Sequence, residues 1–292
     1  MTPVEIPSTS NQKKIMFPRI AHYSGVIRYF IEVCMGQKYI LPPKMTRHTL
    51  EIGARYSPDT VCTPFKSTLG CMIGADTLMM SHGLCRLGYY GELQEQILRD
   101  LGYEFDFINL AAYSTGKKKD LLKVLKRINP KVKYTRIIPG AMDALKLLEY
   151  IDEVTDEYYQ NCGFDPSGAY KKAYKQFLRE TERVSSRQDI DRIYREVKKV
   201  FSDTPLDKPA EPLRVGIVGE FFTVMDPFSN LDLEQTIADM GVEVHRWMNV
   251  SNRMVHYPGE KNMNATIKDL CTYGTNVYGK YLGCAGVRAP RI

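Results

Sequence analysis

The amino-acid sequence predicts an α/β protein with two Rossmann-like or flavodoxin-like parallel-sheet lobes joined by a helical insert. Three observations lead there. Over residues 15–115, short apolar runs of strand type alternate with amphipathic helical segments, the pattern of a parallel sheet with helical crossovers. Over residues 116–203 the strands disappear, and lysine- and glutamate-rich helical segments follow one another. A proline-rich connection then leads into a fresh strand–helix–strand unit near Leu213. The expected organisation is therefore a flexible polar start (1–14), a first lobe (15–115), a helical insert (116–203) and a second lobe (204–292).

The elements can be justified in order. Residues 14–22 carry the first strand, interrupted or ended by Pro18. Residues 26–34 are apolar enough for a packed helix ending at Gly36, with Cys34 in the core. Residues 39–41 form a short strand, and Pro42-Pro43 forces an extended exit. Thr46 can cap a helix through Ile52, before Gly53. Thr63-Pro64 opens the next helix, because proline fits the first helical position without losing a needed hydrogen bond, and that helix runs to about Met72. Residues 76–81 read as a buried strand, 82–88 as a loop, and 90–101 as a helix with Gly102 as its C-cap. Residues 103–109 give another strand. No GxGxxG follows the first strand, so a dinucleotide is not inferred.

In the insert, residues 117–128, 141–159, 168–184 and 189–201 are helical by periodicity. Tyr170, Tyr174 and Phe177 recur at helical spacing as packing residues, and Cys162 lies in a turn beside Gly163. Beyond the prolines, residues 213–219 form the cleanest buried strand of the chain. A loop (221–230), a helix (231–240) and a strand (242–247) follow. Glu220 and Asn230 fall at the rim where such a unit faces a ligand, although Glu220 can equally bond to neighbouring backbone amides.

The chemistry concentrates in residues 56–103, which place Cys62, Cys71 and Cys85 within one α/β unit. Cys62 is at a helix N-terminus, where unpaired N–H groups and the helix dipole favour a thiolate. Cys85 lies just past the end of a strand, on the rim where open α/β sheets bind ligands. Thiolates gathered there can hold a soft metal or an iron–sulfur cluster. Without a CxxC or a ferredoxin run, the spacing by itself reads more simply as that of buried cysteines acting as small apolar residues.

The words C-T-P-F-K at Cys62, G-A-D at Gly74, C-R-L-G-Y-Y-G-E-L-Q at Cys85 and I-L-R-D-L-G-Y at Ile97 favour the first alternative. In them, and over about residues 17–281, the chain resembles the 2-hydroxyacyl-CoA dehydratase (2-hydroxyglutaryl-CoA dehydratase D-component) family, in its branch of CoA-enzyme activase-related proteins. The resemblance implies that Cys62 and Cys85 ligate an iron–sulfur cluster, of [4Fe–4S] type or a double-cubane as in some relatives. It leaves Cys71 as a core or spare thiol. It also implies a low-potential electron delivered by an ATP-hydrolysing iron–sulfur activator, a small acyl-CoA-type substrate that is dehydrated or reduced, and a homo- or heterodimer. Lys66 and Arg86, beside the two cysteines, would stabilise negative charge on cluster or substrate, or equally serve as surface ion-pair residues.

Relatives continue past the last residues of this sequence with a further cysteine-containing word, so the resemblance also implies a shortened C-terminus that lacks a third ligand and leaves the second lobe incomplete. Cys284 is the nearest substitute, though it reads more simply as an incidental tail cysteine. A non-catalytic metal- or partner-binding scaffold left by truncation is the competing expectation.

Composition bounds these readings. The net charge of +6 is moderate and spread among acidic residues, and no basic tract interleaved with aromatics argues for nucleic acid. No apolar run approaches the roughly 20 residues of a bilayer span, and residues 1–14 lack a signal-peptide core. Seven cysteines without framework spacing suit a reducing, cytoplasmic setting, and an exposed cluster a low-oxygen one.

Overall fold

In the computed structural model, which describes residues 14–73, 78–81, 87–109, 125–131, 133–246 and 248–251, the first strand stops short of Pro18. Strand β1 spans Lys14–Met16. Helix α1 (Ser24–Arg28) follows and continues without a break into a wider π-helical turn, Tyr29–Cys34, ahead of β2 (Lys38–Ile40). Helices α2 (Arg47–Tyr56) and α3 (Thr63–Met72) then lead to β3 (Leu78–Ser81), α4 (Leu87–Asp100) and β4 (Phe107–Asn109). The protein is a mixed α/β structure that divides into two compact units, one of Met1–Pro18 and Phe30–Ile138, the other of Arg19–Tyr29 and Pro139–Ile292.

The first unit holds a parallel sheet of order β2-β1-β3-β4. Its core is Met16, Phe65, Leu69, Met72, Leu98 and Phe107, contributed by β1, α3, α4 and β4. Several expected boundaries move, and the strand expected over 103–109 is confined to Phe107–Asn109. The helix assigned to begin near Tyr90 starts at Leu87. Helix α2, expected to end before Gly53, runs through it to Tyr56, and the reason is tertiary. A Cβ on Gly53 would lie 1.7 Å from the Lys66 carbonyl oxygen, and one on Gly70 would lie 1.7 Å from the Thr49 carbonyl oxygen. Glycine here is a contact residue between two helix backbones, where its role as a helix terminator is overridden. At Gly102, φ of +85° after α4 fits the expected C-cap. The start of α2 is closed by a capping box in which Thr46 Oγ1 accepts from Thr49 N and Thr46 N donates to Thr49 Oγ1. Of the expected helix over 117–128, the described part, residues 125–128, is helical.

In the second unit, α5 (Tyr134–Asn161), which begins in the first unit, is followed by α6 (Ala169–Thr181) and α7 (Arg187–Asp203). Tyr170, Tyr174 and Phe177 are buried as expected. Tyr174 stacks on Tyr158 with ring centroids 4.1 Å apart, and its hydroxyl meets Thr155 Oγ1 at 3.1 Å, which satisfies the polar tip of a buried ring. The lysine- and glutamate-rich faces join α5 to α7 through Lys146–Asp191, Arg187–Asp143 and Lys198–Glu153. Such partly exposed pairs contribute at most about 1 kcal/mol each, so the buried Ile190, Ile193, Val197 and Phe201 of α7 carry the packing. Just ahead of α1, the Tyr23 hydroxyl donates to Asp152 Oδ1 at 2.5 Å, and Ser251 N donates to Asp152 Oδ2 at 2.8 Å.

Strand β5 (Arg214–Gly216) pairs in parallel with β6 (Glu243–His245), with α8 (Phe221–Met225) and α9 (Leu233–Ala238) between them. The expectation of a cleanly buried strand over 213–219 is corrected: Leu213 is 68% and Val218 56% exposed. An apolar run states a tendency to be covered, and among the described residues β5 has a strand on one side only. The expected 231–240 helix is also shorter, since Leu231 and Asp232 adopt positive φ ahead of α9.

The close approach of α2 and α3 has a direct test. Gly70→Ala, whose added methyl has backbone rather than a movable side chain in its way, is expected to lower the unfolding free energy by about 3 kcal/mol, the upper part of the overpacking range. Thr46→Ala, which removes one cap, should cost about 1 kcal/mol by the same urea titration.

Candidate functional site

Helices α3 and α4 lie side by side and run in the same direction. Three contacts establish this: Tyr90 reaches Cys62, Tyr90 packs on Phe65, and Gln94 donates through Nε2 to Thr68 Oγ1 at 2.8 Å. The partners advance together along both helices. Because α4 follows β3 and returns to β4, its first turn stands beyond the carboxyl end of the sheet, and Cys62 stands with it. In parallel sheets this is the edge that carries ligand sites, most often where the strand order reverses, as it does here between β1 and β3.

Cys62 is the N-cap residue of α3, is exposed, and is not in a disulfide. Its extended backbone (φ −74°, ψ 164°) starts the helix, and proline follows within the first two helical positions as expected. Its side chain does not cap. Thr46, Ser186 and Glu220, at the starts of α2, α7 and α8, each accept a backbone N–H through a side-chain oxygen. The Cys62 sulfur instead receives the Tyr90 hydroxyl at 3.3 Å. A soft, solvent-facing sulfur at the positive end of a helix is a suitable donor for iron, so this residue fits a cluster ligand.

Cys71 sits apart from it. Nine residues farther along α3, about 14 Å at the helical rise, it is 1% exposed and its thiol points to the Pro43 carbonyl oxygen at 3.7 Å. It is a core residue at the opposite end of the helix. Cys34 is equally buried. Cys162 lies in the short 3-10 turn Cys162–Phe164, and burial pushes its thiol up to about 11, so it is protonated at neutral pH. Lys66, in the first turn of α3, is half-buried close to Cys62 in sequence. Cys85, Arg86 and Cys284 lie outside the described residues. Among the described residues, no group of three or more histidine, cysteine, aspartate or glutamate side chains is assembled for a metal ion.

At the second sheet, Glu220 takes the plainer of its two expected roles. Its carboxylate accepts from Phe222 N at 3.2 Å and Thr223 N at 2.8 Å and caps α8. Asn230 is likewise engaged in shaping its loop, donating to the Val224 carbonyl and accepting from Leu233 N. The residue that sequence reasoning missed is Tyr90, which carries no metal-ligand or nucleophile signature. Its meaning lies in the parallel course of α3 and α4, a tertiary relation.

No protein-family model matches the chain, and no curated protein sequence matches it.

Burial of Cys34 and Cys71, and the raised thiol of the partly buried Cys162, make a labelling prediction. Under native conditions near neutral pH, iodoacetamide should modify Cys62 rapidly and leave Cys34, Cys71 and Cys162 largely unmodified, as read by peptide mass mapping of those four cysteines. All four should react at similar rates in urea.

Proposed function

We propose that the protein is an iron–sulfur subunit of the 2-hydroxyacyl-CoA dehydratase type, with Cys62 and Cys85 as cluster ligands. In this reading it takes a low-potential electron from an ATP-hydrolysing activator and uses it to dehydrate or reduce a small acyl-CoA-type substrate. The observation that carries the reading is the placement of Cys62: exposed, at the start of α3, against the first turn of α4. Cys85 precedes the first residue of α4 by two positions in the sequence, and the first turn of α4 is the one that carries Tyr90 to Cys62. The strand order β2-β1-β3-β4 is that of flavodoxin-like doubly wound sheets, which supports the first of the two lobes in the proposed fold. The β5-β6 pair would belong to the second.

When bound, the cluster would supply one-electron chemistry and an iron able to polarise a substrate oxygen. The chain's own part is to present Cys62 from a rigid helix start and to place cationic side chains near by. Lys66 is one turn along α3 from Cys62, and Arg86 follows Cys85 directly in sequence. Both would counter negative charge on cluster or thioester. A cytoplasmic, low-oxygen setting and a dimeric assembly belong to the same proposal.

The test is reconstitution with iron and sulfide under anaerobic conditions, read by metal and sulfide analysis, absorption and EPR. Stoichiometric iron and sulfide in the native chain, lost in Cys62→Ser and in Cys85→Ser but retained in Cys71→Ser, is the expected result. A folded protein that binds neither iron nor sulfide would overturn the proposal.

A further inference from the structure

Helix α6 breaks a charge pattern that its neighbours keep. On α5 and α7 the surface cations stand beside carboxylates, as in Lys146–Asp191, Arg187–Asp143, Arg192–Glu196 and Lys198–Glu157. On α6 one side, Tyr170, Tyr174, Phe177 and Thr181, is buried, and the other presents Lys171, Lys172, Lys175 and Arg179, all exposed. At 3.6 residues per turn these four cations and Gln176 fill an arc of about 140°, and Lys171 to Arg179 covers about 12 Å of helix. No carboxylate falls in that arc. The glutamate of α6, Glu180, lies beyond its edge and is taken up by Arg192 at 3.3 Å and Gln176 Nε2 at 2.8 Å. Glu182, just past the helix, pairs with Arg19 at 3.7 Å. Among the described residues, none of the four cations is in an ion pair.

The arrangement is unfavourable within the chain. Lys171 with Lys175, and Lys175 with Arg179, are like charges at i,i+4, which repel across one turn. Lys171 and Lys172 are also the third and fourth residues of α6, near the positive end of the helix dipole, where acidic side chains are favoured. In α7 that place is held by Asp189. A single-sign face that local electrostatics disfavours, between helices whose surfaces mix both signs, is the kind of departure that binding surfaces show. We propose that the outer face of α6 docks an acidic surface of another protein, best matched by a helix with glutamate or aspartate repeated at i,i+4. Such a helix carries its charges at the pitch of Lys171, Lys175 and Arg179. The arc offers no aromatic ring for a base and no apolar side chain for a lipid layer, because Tyr170, Tyr174 and Phe177 lie in the core. This inference is independent of the cluster reading.

The probe is a fluorescein-labelled, alanine-based helical peptide with glutamate repeated at i,i+4, titrated with the full chain at about 150 mM salt and followed by anisotropy. Lys172→Gln/Lys175→Gln/Arg179→Gln removes charge from the face and leaves its buried side intact, which circular dichroism checks. Lys38→Gln/Lys44→Gln/Lys131→Gln, at exposed positions of the first unit, makes the same change in net charge elsewhere. The expected result is equal affinity in the native chain and the second variant, and about tenfold weaker binding in the first. No binding by the native chain, equal affinity in all three proteins, or equal weakening in both variants would overturn the proposal. Tighter binding of a short DNA duplex or of phosphatidylserine vesicles than of the peptide, lost in the first variant, would assign the face to phosphate and overturn the acidic protein as its partner.

Discussion

The backbone contact between α2 and α3 is the constraint on which the candidate site depends. Gly53 and Gly70 let the two helices touch without side chains between them, and this fixes the axis of α3. With that axis fixed, Phe65, Leu69 and Met72 enter the core, and the α3 start, carrying Cys62, is left facing outward. Gln94, Thr68 and the Tyr90–Phe65 ring pair then set α4 parallel to α3. A reactive side chain on an exposed helix start is only as well placed as the packing beneath it. Here that packing is close to the limit that two backbones allow.

The second unit is held by different means. Its helices bury tyrosines whose hydroxyls find partners, as in Tyr174 with Thr155 and Tyr23 with Asp152. Burial raises the carboxyl group of Asp152 above its ordinary range, while the bond from Tyr23 and the one from Ser251 N act against that rise. Arg246 and Glu234 form a further buried pair, 3.3 Å apart. Paired polar groups of this kind set one arrangement of helices over others, because a shift would leave a desolvated group without its partner. The charged faces of α5 and α7 add modest attraction over an apolar seam.

Much of this was legible from residue order. Pro18 ending β1, Thr46 opening α2, Thr63-Pro64 opening α3, Gly102 closing α4 and the tyrosine stripe of α6 follow from dihedral preference, capping chemistry and periodicity. Each is a local property of a few neighbouring residues. The exposure of β5, the passage of α2 through Gly53 and the choice of Glu220 between ligand rim and cap were not legible in the same way. Those outcomes turn on what lies across from the residue, and a pattern along one segment does not contain its neighbour.

The candidate site divides along the same line. By itself the sequence determined that Cys62 would start a helix and that another helix would follow Cys85, because proline and helical periodicity act locally; its start at Leu87 rather than near Tyr90 came from the structure. Only the tertiary structure decided that Cys71 faces the core while Cys62 faces solvent, and that Tyr90 is the side chain at the Cys62 sulfur. The physical reason is that burial and side-chain contact are set by how helices pack on the sheet and on one another. That packing is fixed by long-range contacts such as Gly53 with Lys66, which no local reading of either helix contains.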